Sequence, residues 1–142
     1  MERDAIVGAV DAYLAAVLAG DGAAASLFAE DGTVEDPIGS QLRRGADEIR
    51  AFYAAPRDIR YVRRLGPVTV HGSRAAFQFA IGLRPASALA GTTPGVQVDL
   101  VITDILTFGA DGLIQAMVGI PDASAAAEPG GTEQVVRQLN DV

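Results

Sequence analysis

The feature that most constrains the fold is a change of hydrophobic period at about Pro56. Before this proline, apolar residues recur at helical spacing. After it, they alternate with polar residues, as in strands that cover a core on one face. Helices followed by a run of strands predict an α+β domain, with the helices packed on one face of a curved antiparallel sheet. Such a sheet, closed by helices, forms a cone whose apolar interior suits the binding of a small molecule.

The first part of the chain predicts three helices, each supported by apolar side chains on one face or by capping and breaking residues at its ends. The first helix spans Arg3–Ala19, and the second is a short helix from its cap Asp21 through Phe28. Gly32 then breaks the helical pattern, and a strand follows over Thr33–Asp36. The third helix spans Ala46–Ala55.

The second part predicts strands, and Ala110-Asp111-Gly112 between two apolar runs is a strong hairpin signal. We expect one domain over residues 1–125, a loop over Pro85–Gly95, and a C-terminal tail over 126–142 with a short helix at Thr132–Leu139. The predicted strands are Ile59–Leu65, Val68–His71, Ala75–Leu83, Val96–Phe108 and Leu113–Ile120.

Residue types that are missing exclude several kinds of chemistry. All 11 basic residues are Arg, so a Schiff-base lysine and a P-loop lysine are excluded. The chain has no Cys, which removes disulfides, thiolate nucleophiles and Cys-ligated zinc. A single His cannot build a multi-histidine metal site. Any catalysis must therefore come from carboxylates, tyrosines, hydroxyls or a bound cofactor. We predict no metal, and we expect no cofactor because the sequence offers no obvious site for one.

The charge of the chain bears on its partners. The formal net charge of −7 disfavours binding to phosphate backbones and to anionic membrane surfaces. The N-terminus has neither a basic start nor a following apolar run, and no stretch reaches the ~20 apolar residues of a spanning helix. We expect a soluble cytoplasmic protein that binds a small molecule rather than nucleic acid or a membrane.

One carboxylate interrupts an apolar strand face. With a period of two, Asp104 shares its face with Val98, Leu100, Ile102, Leu106 and Phe108. An unpaired ionised carboxylate there costs several kcal/mol, so the group either pairs with a cation or becomes neutral. A neutral buried Asp is a hydrogen-bond donor and could stabilise a developing oxyanion. The alternative is a bulge or a different register that turns Asp104 to solvent.

Two further residues are candidates for chemistry. Tyr13 lies on the apolar stripe of the first helix, where a buried phenol needs a partner for its hydroxyl. Its alternative role is that of a core tyrosine bonded to the backbone. Asp36 ends a strand before Pro37 and could be a general base beside a pocket. Its alternative role is to initiate a turn, since Asp-Pro is common in turns.

Taken together, these residues lie in segments that resemble the bacterial Δ5-3-ketosteroid isomerases. The resemblance covers about Ala5 to Met117, and its most specific part is the Val-Glu-Asp-Pro-x-Gly stretch within Phe28–Ser40. Segments Arg44–Tyr53, Tyr13–Asp21, Val98–Phe108 and Gly112–Met117 also match.

The resemblance implies a fold and a mechanism. The fold is the cone shared with nuclear transport factor 2, and the assembly is a homodimer. Asp36 would move a proton within a 3-ketosteroid, while Tyr13 and neutral Asp104 would donate hydrogen bonds to the dienolate oxygen. Tyr53 would support this network by hydrogen bonding. The predicted apolar lining of the substrate pocket comprises Phe28, Phe52, Phe79, Leu100, Ile102 and Met117.

Departures from the family pattern concern the pocket. Phe28 stands where the family often has a third pocket tyrosine, and the family's pocket tryptophan is absent because the chain has no Trp. The loop over Pro85–Gly95 is longer, and the chain after Met117 diverges. Two other functions therefore compete with steroid isomerisation: another enzyme on this fold, such as a polyketide cyclase or a hydrolase, and a non-catalytic small-molecule binding module.

Overall fold

The computed structural model describes residues 1–55, 57–85 and 97–122. The predicted terminal helix and most of the predicted Pro85–Gly95 loop lie outside these ranges. The elements are α1 (Arg3–Ala19), a 3-10 helix (Ala23–Leu27), β1 (Phe28–Glu35), β2 (Arg43–Arg44), α2 (Ala46–Tyr53), β3 (Arg57–His71), β4 (Arg74–Pro85), β5 (Val98–Phe108) and β6 (Ile114–Pro121).

The strands form one mixed six-stranded sheet in the order β2-β1-β6-β5-β4-β3. This α+β architecture confirms the predicted fold class. The prediction of antiparallel pairing holds for every pair except β1 and β6, which run parallel. These two strands lie at opposite ends of the described chain, so no hairpin joins them. A short hairpin would force them to run antiparallel, whereas their long connection allows the parallel direction.

The second predicted helix is shorter than expected. It is a five-residue 3-10 helix that follows Gly22, and Asp21 has a left-handed φ of 55° in the preceding turn instead of capping it. Strand β1 already begins at Phe28 and continues through Gly32, which was expected to break a helix. A Cβ at Gly32 would lie 3.0 Å from the Ala29 carbonyl oxygen, so glycine allows the close backbone approach at an irregularity in the β1–β6 pairing.

The long third strand curves the sheet. Two predicted strands are a single strand, β3, whose pairing with β4 shifts between Ile59 and Tyr61 and again between Leu65 and Thr69. Such irregularities bend a strand and increase its twist. The second shift contains Gly66-Pro67, which explains why the sequence pattern looked interrupted there.

The core lies between the helices and the concave face of the sheet. Helix α1 keeps its predicted bounds and buries Ile6, Val10, Tyr13 and Leu14. Strand β4 confirms the predicted alternation, because its five inward residues Ala75, Phe77, Phe79, Ile81 and Leu83 are all buried. Within the described ranges, no helix is both long and apolar enough to cross a membrane.

Candidate active site

Asp104 points into the core from the middle of β5. Its side chain is 2% exposed, and it is the single buried charged residue among those described. The β4–β5 register is continuous from Leu83–Val98 to Arg74–Thr107, so no bulge turns the residue outward. The pairing sets Asp104 between Phe77 on β4 and Gly119 on β6. The alternative of a solvent-facing Asp104 is therefore wrong.

Helix α1 supplies the hydrogen-bond partner of this carboxyl group. The Tyr13 hydroxyl donates to Asp104 Oδ2 at 3.1 Å and lies 2.9 Å from the Tyr53 hydroxyl. Because Tyr13 uses its one proton toward Asp104, Tyr53 is the donor in the second bond. The ring of Tyr13 also packs edge-on against Phe77. The three side chains form a directed chain, Tyr53 to Tyr13 to Asp104, in which each bond polarises the next.

Burial controls the protonation of the two central groups. Desolvation, followed by the negative charge of Asp36, raises the pKa of Asp104 well above its ordinary value; the Tyr13 hydrogen bond lowers that pKa by a smaller effect. Desolvation also raises the pKa of Tyr13, as does the nearby charge of Asp104. Asp104 Oδ1 is buried and has no hydrogen-bond partner in the described structure. A neutral Asp104 would therefore have an O–H or a lone pair available to a ligand.

Asp36 reaches the same cavity from another direction. It follows the last residue of β1, is half-buried, and lines the cavity with Tyr13 and Asp104. Its carboxylate lies where a side chain at Gly119 would begin, since a Cβ there would be 2.6 Å from Asp36 Cγ. One potential base thus faces two potential donors across a single small space.

The cavity has a volume of about 40 Å³. Of the predicted lining residues, Phe52, Phe79 and Ile102 do line it, whereas Phe28, Leu100 and Met117 are buried in the surrounding core. The Phe28 ring packs 5.7 Å from that of Tyr53, where it contributes no hydroxyl. The remaining lining residues are Tyr13, Val17, Asp36, Tyr53, Ile59, Ile81 and Asp104.

A second cavity of about 240 Å³ adjoins the first at the C-terminal end of α1. The two share Tyr53 and Ile59 in their linings. A drug-sized ligand needs roughly 300–1,000 Å³. Neither cavity reaches that range, so a ligand of that size requires the site to widen.

Comparison with known proteins places the chain in a family. The sequence matches the SnoaL-like domain over residues 10–117. The chain belongs to the SnoaL-like family. A Nocardioides simplex protein named Steroid Delta-isomerase is 36% identical over 115 residues, which cover 79% of this chain and 85% of that relative.

A solved structure supports the fold of this SnoaL-like protein. The epoxide hydrolase/cyclase-like enzyme SalBIII, described in pyran ring formation in polyether salinomycin, superposes with a TM-score of 0.67. The match covers 82% of this chain and 90% of that structure at 22% identity. The fold is therefore shared with an enzyme of a different described reaction.

Two residues contact the candidate base and were not singled out from sequence. Gly119 provides space for the Asp36 side chain; a glycine inside an apolar strand is itself a signal of close approach. The Arg43 guanidinium lies 4.7 Å from the centre of the Phe52 ring and donates to the Asp36 backbone oxygen at 3.4 Å. Arg43 lies in the two-residue strand β2, which has no recognisable hydrophobic pattern.

Metal binding has no support in the described part of the chain. No group of three or more His, Cys, Asp or Glu side chains there is arranged to hold an ion. The groups available for chemistry are two carboxyls and two phenols.

Proposed function

We propose that this SnoaL-like protein is a steroid Δ-isomerase that moves a C=C bond from Δ5 to Δ4 in 3-ketosteroids. The observation that carries the proposal is the convergence of Asp36, Tyr13 and Asp104 on one cavity. A half-buried carboxylate opposite a buried phenol and a carboxyl favoured in its neutral form suits proton abstraction next to a ketone. The named isomerase relative supports the same assignment.

The first step removes a proton from the carbon between the ketone and the alkene. The Asp36 carboxylate accepts this proton, and the electron pair of the broken C–H bond delocalises through the alkene and the carbonyl. The product is a dienolate whose negative charge lies largely on oxygen. Asp36 is placed for this step because it lines the same cavity as the two groups that would donate to the oxygen.

The dienolate oxygen is the group that Tyr13 and Asp104 stabilise. Tyr13 turns its proton from Asp104 to the incoming oxygen, while Tyr53 continues to donate to Tyr13. Neutral Asp104 donates its own proton beside it. Donors fixed in a dry cavity stabilise developing charge more strongly than water does, because they need no reorganisation.

The second step returns the proton to the far end of the dienolate. Protonated Asp36 donates to that carbon, which yields the conjugated enone and regenerates the carboxylate. One proton and one double bond change position, and nothing is oxidised or reduced. The reaction as proposed therefore needs no cofactor.

Incubation with 5-androstene-3,17-dione tests this proposal against its two competitors. Isomerisation increases conjugated-enone absorbance without a change in substrate mass. A hydrolase acting on a suitable substrate adds the mass of water, and a binding module protects a ligand without converting it. Unchanged absorbance and mass, with the protein folded and the steroid bound, would reject the isomerase and favour the binding module.

We further propose a cytoplasmic homodimer. The sheet face opposite the helices has apolar side chains that remain accessible, including Ile120, which is 39% exposed. Ile105 and Val118 pair beside it and are half-buried. Covering such a surface with a second copy of the chain would remove apolar area from water.

A further inference from the structure

Gly119 faces the candidate base from strand β6. It pairs directly with Asp104 on β5, and alternation puts it on the same side of the sheet as buried Met117. A Cβ at Gly119 would lie 2.6 Å from Asp36 Cγ and 2.8 Å from both carboxylate oxygens. The Asp36 carboxylate therefore occupies the space that any side chain at position 119 would fill.

A backbone contact fixes the same two segments to each other. The Ile38 N–H donates to the Gly119 carbonyl oxygen at 2.8 Å. This bond holds the turn after Asp36 against β6, while the missing side chain of Gly119 admits the carboxylate. The backbone hydrogen bond sets the distance between the turn and β6. The glycine then determines how close the Asp36 carboxylate comes to Asp104.

We propose that Gly119 is a positioning residue for the general base, because its lack of a side chain lets Asp36 sit directly opposite Asp104. This inference rests on the proposed isomerase function. In this role, Gly119 sets the distance between Asp36, which carries the proton, and Asp104, which donates to the dienolate oxygen.

The role concerns position more than stability. Gly119 has no left-handed φ, so an alanine can adopt its backbone conformation. The colliding atoms belong to the end of the Asp36 side chain, which can rotate away. The Gly119→Ala variant is therefore expected to fold with a small change in Tm and with its base displaced.

The expected kinetic effect is a loss in kcat without a loss of binding. Displacement of a reacting group by about 1 Å can reduce a rate roughly 100-fold, so Gly119→Ala should lower kcat by about 10- to 100-fold. Affinity for a phenolic steroid should stay within about threefold of the parent, because the atoms nearest to the new methyl group belong to Asp36 and not to the proposed donors Tyr13 and Asp104. Gly8→Ala is the matched control: Gly8 is exposed in α1 with open space around it.

The decisive experiment combines a double-mutant cycle with crystal structures of the parent and Gly119→Ala. In the Asp36→Asn background, Gly119→Ala should have no further effect on the residual rate, and the Gly119→Ala crystal structure should show the Asp36 carboxylate rotated away from β6. Full additivity of the two substitutions, or an Asp36 carboxylate that has not moved, would overturn the proposal. If Gly119→Ala does not fold, an Asp36→Ala/Gly119→Ala double variant decides, because loss of the carboxylate frees the space for the new methyl group: recovery of folding supports the contact, and failure to recover overturns it. An inactive parent would reject the isomerase, while the structures would still test the position of Asp36.

Discussion

The Tyr13 hydroxyl and Asp104 Oδ2 lie 3.1 Å apart, although the residues are 91 positions apart in sequence. Helix α1 brings the phenol to the carboxyl in the middle of β5, and both side chains are buried. Each group alone would be a costly polar intrusion into an apolar core. Together they share one hydrogen bond, and both line a cavity that Asp36 also lines.

Removal of the Tyr13 hydroxyl should reduce catalysis strongly. We expect Tyr13→Phe to lower kcat by roughly 10- to 1,000-fold, as for loss of one oxyanion donor. Tyr53→Phe should have a smaller effect, because Tyr53 acts on the oxygen only through Tyr13. Steady-state kinetics with both variants tests this order; a larger loss for Tyr53→Phe would contradict the directed chain.

The pH dependence of stability should report the state of Asp104. The raised pKa means that folded protein retains a proton that the unfolded chain releases above about pH 3.8, the ordinary value for Asp. The free energy of unfolding should therefore fall as pH rises through the window from that value to the folded pKa, by at most about 1.4 kcal/mol per pH unit.

Substitution of Asp104 isolates this contribution. The side chains in Asp104→Asn and Asp104→Leu cannot ionise. As pH rises through the window, the free energy of unfolding of each variant should therefore increase relative to that of the parent. Each variant should also lose turnover. Urea unfolding from pH 4 to 8 measures the difference, with Asp111→Asn in an exposed turn as the control. Parallel stability curves for parent and Asp104→Asn would mean that Asp104 is not protonated preferentially in the folded state.

Phenolic steroids should bind more tightly than saturated ketosteroids of similar shape. A phenol such as equilenin resembles the dienolate, and catalysis requires the site to prefer that state over the substrate. Asp104→Leu should reduce the ratio of the two affinities. Calorimetric titration of both ligands gives this ratio; equal affinities in the parent would argue against an oxyanion hole and for a plain apolar receptor.

The protein should be a dimer at micromolar concentration. The accessible apolar side chains on the outer sheet face, among them Ile120 and Val118, motivate this expectation. Light scattering coupled to gel filtration measures the mass, and Ile120→Arg should shift it toward the monomer. A stable monomer of the parent protein would refute the homodimer.

Local patterns predicted the elements whose neighbours are close in sequence. The helical stripe of α1, the alternation of β4 and the hairpin at Asp111-Gly112 all follow from periodicity and turn chemistry. The inward direction of Asp104 could also be read from the apolar residues around it. The composition of the site could not be read from local patterns, because only the tertiary fold brings Tyr13 and Asp36 to the strand that carries Asp104.

Contacts between segments that are distant in sequence could not be predicted from local patterns. The parallel pairing of β1 with β6 involves no hairpin, and Gly32 looked like a helix breaker because its close backbone neighbours are distant in sequence. The same holds for the contact of Gly119 with Asp36. The resemblance identified pocket residues by position, but packing placed Phe28, Leu100 and Met117 in the core.

The most direct test of the central claim is the initial rate of enone formation from 5-androstene-3,17-dione by the parent and by Asp36→Asn. Asp36→Asn removes the base with little change in shape, so we predict rapid conversion by the parent and a loss of most turnover in the variant, with steroid affinity and Tm close to those of the parent. Equal rates for the two proteins, or no conversion by the folded parent, would contradict the assignment of Asp36 as the proton carrier of a steroid Δ-isomerase.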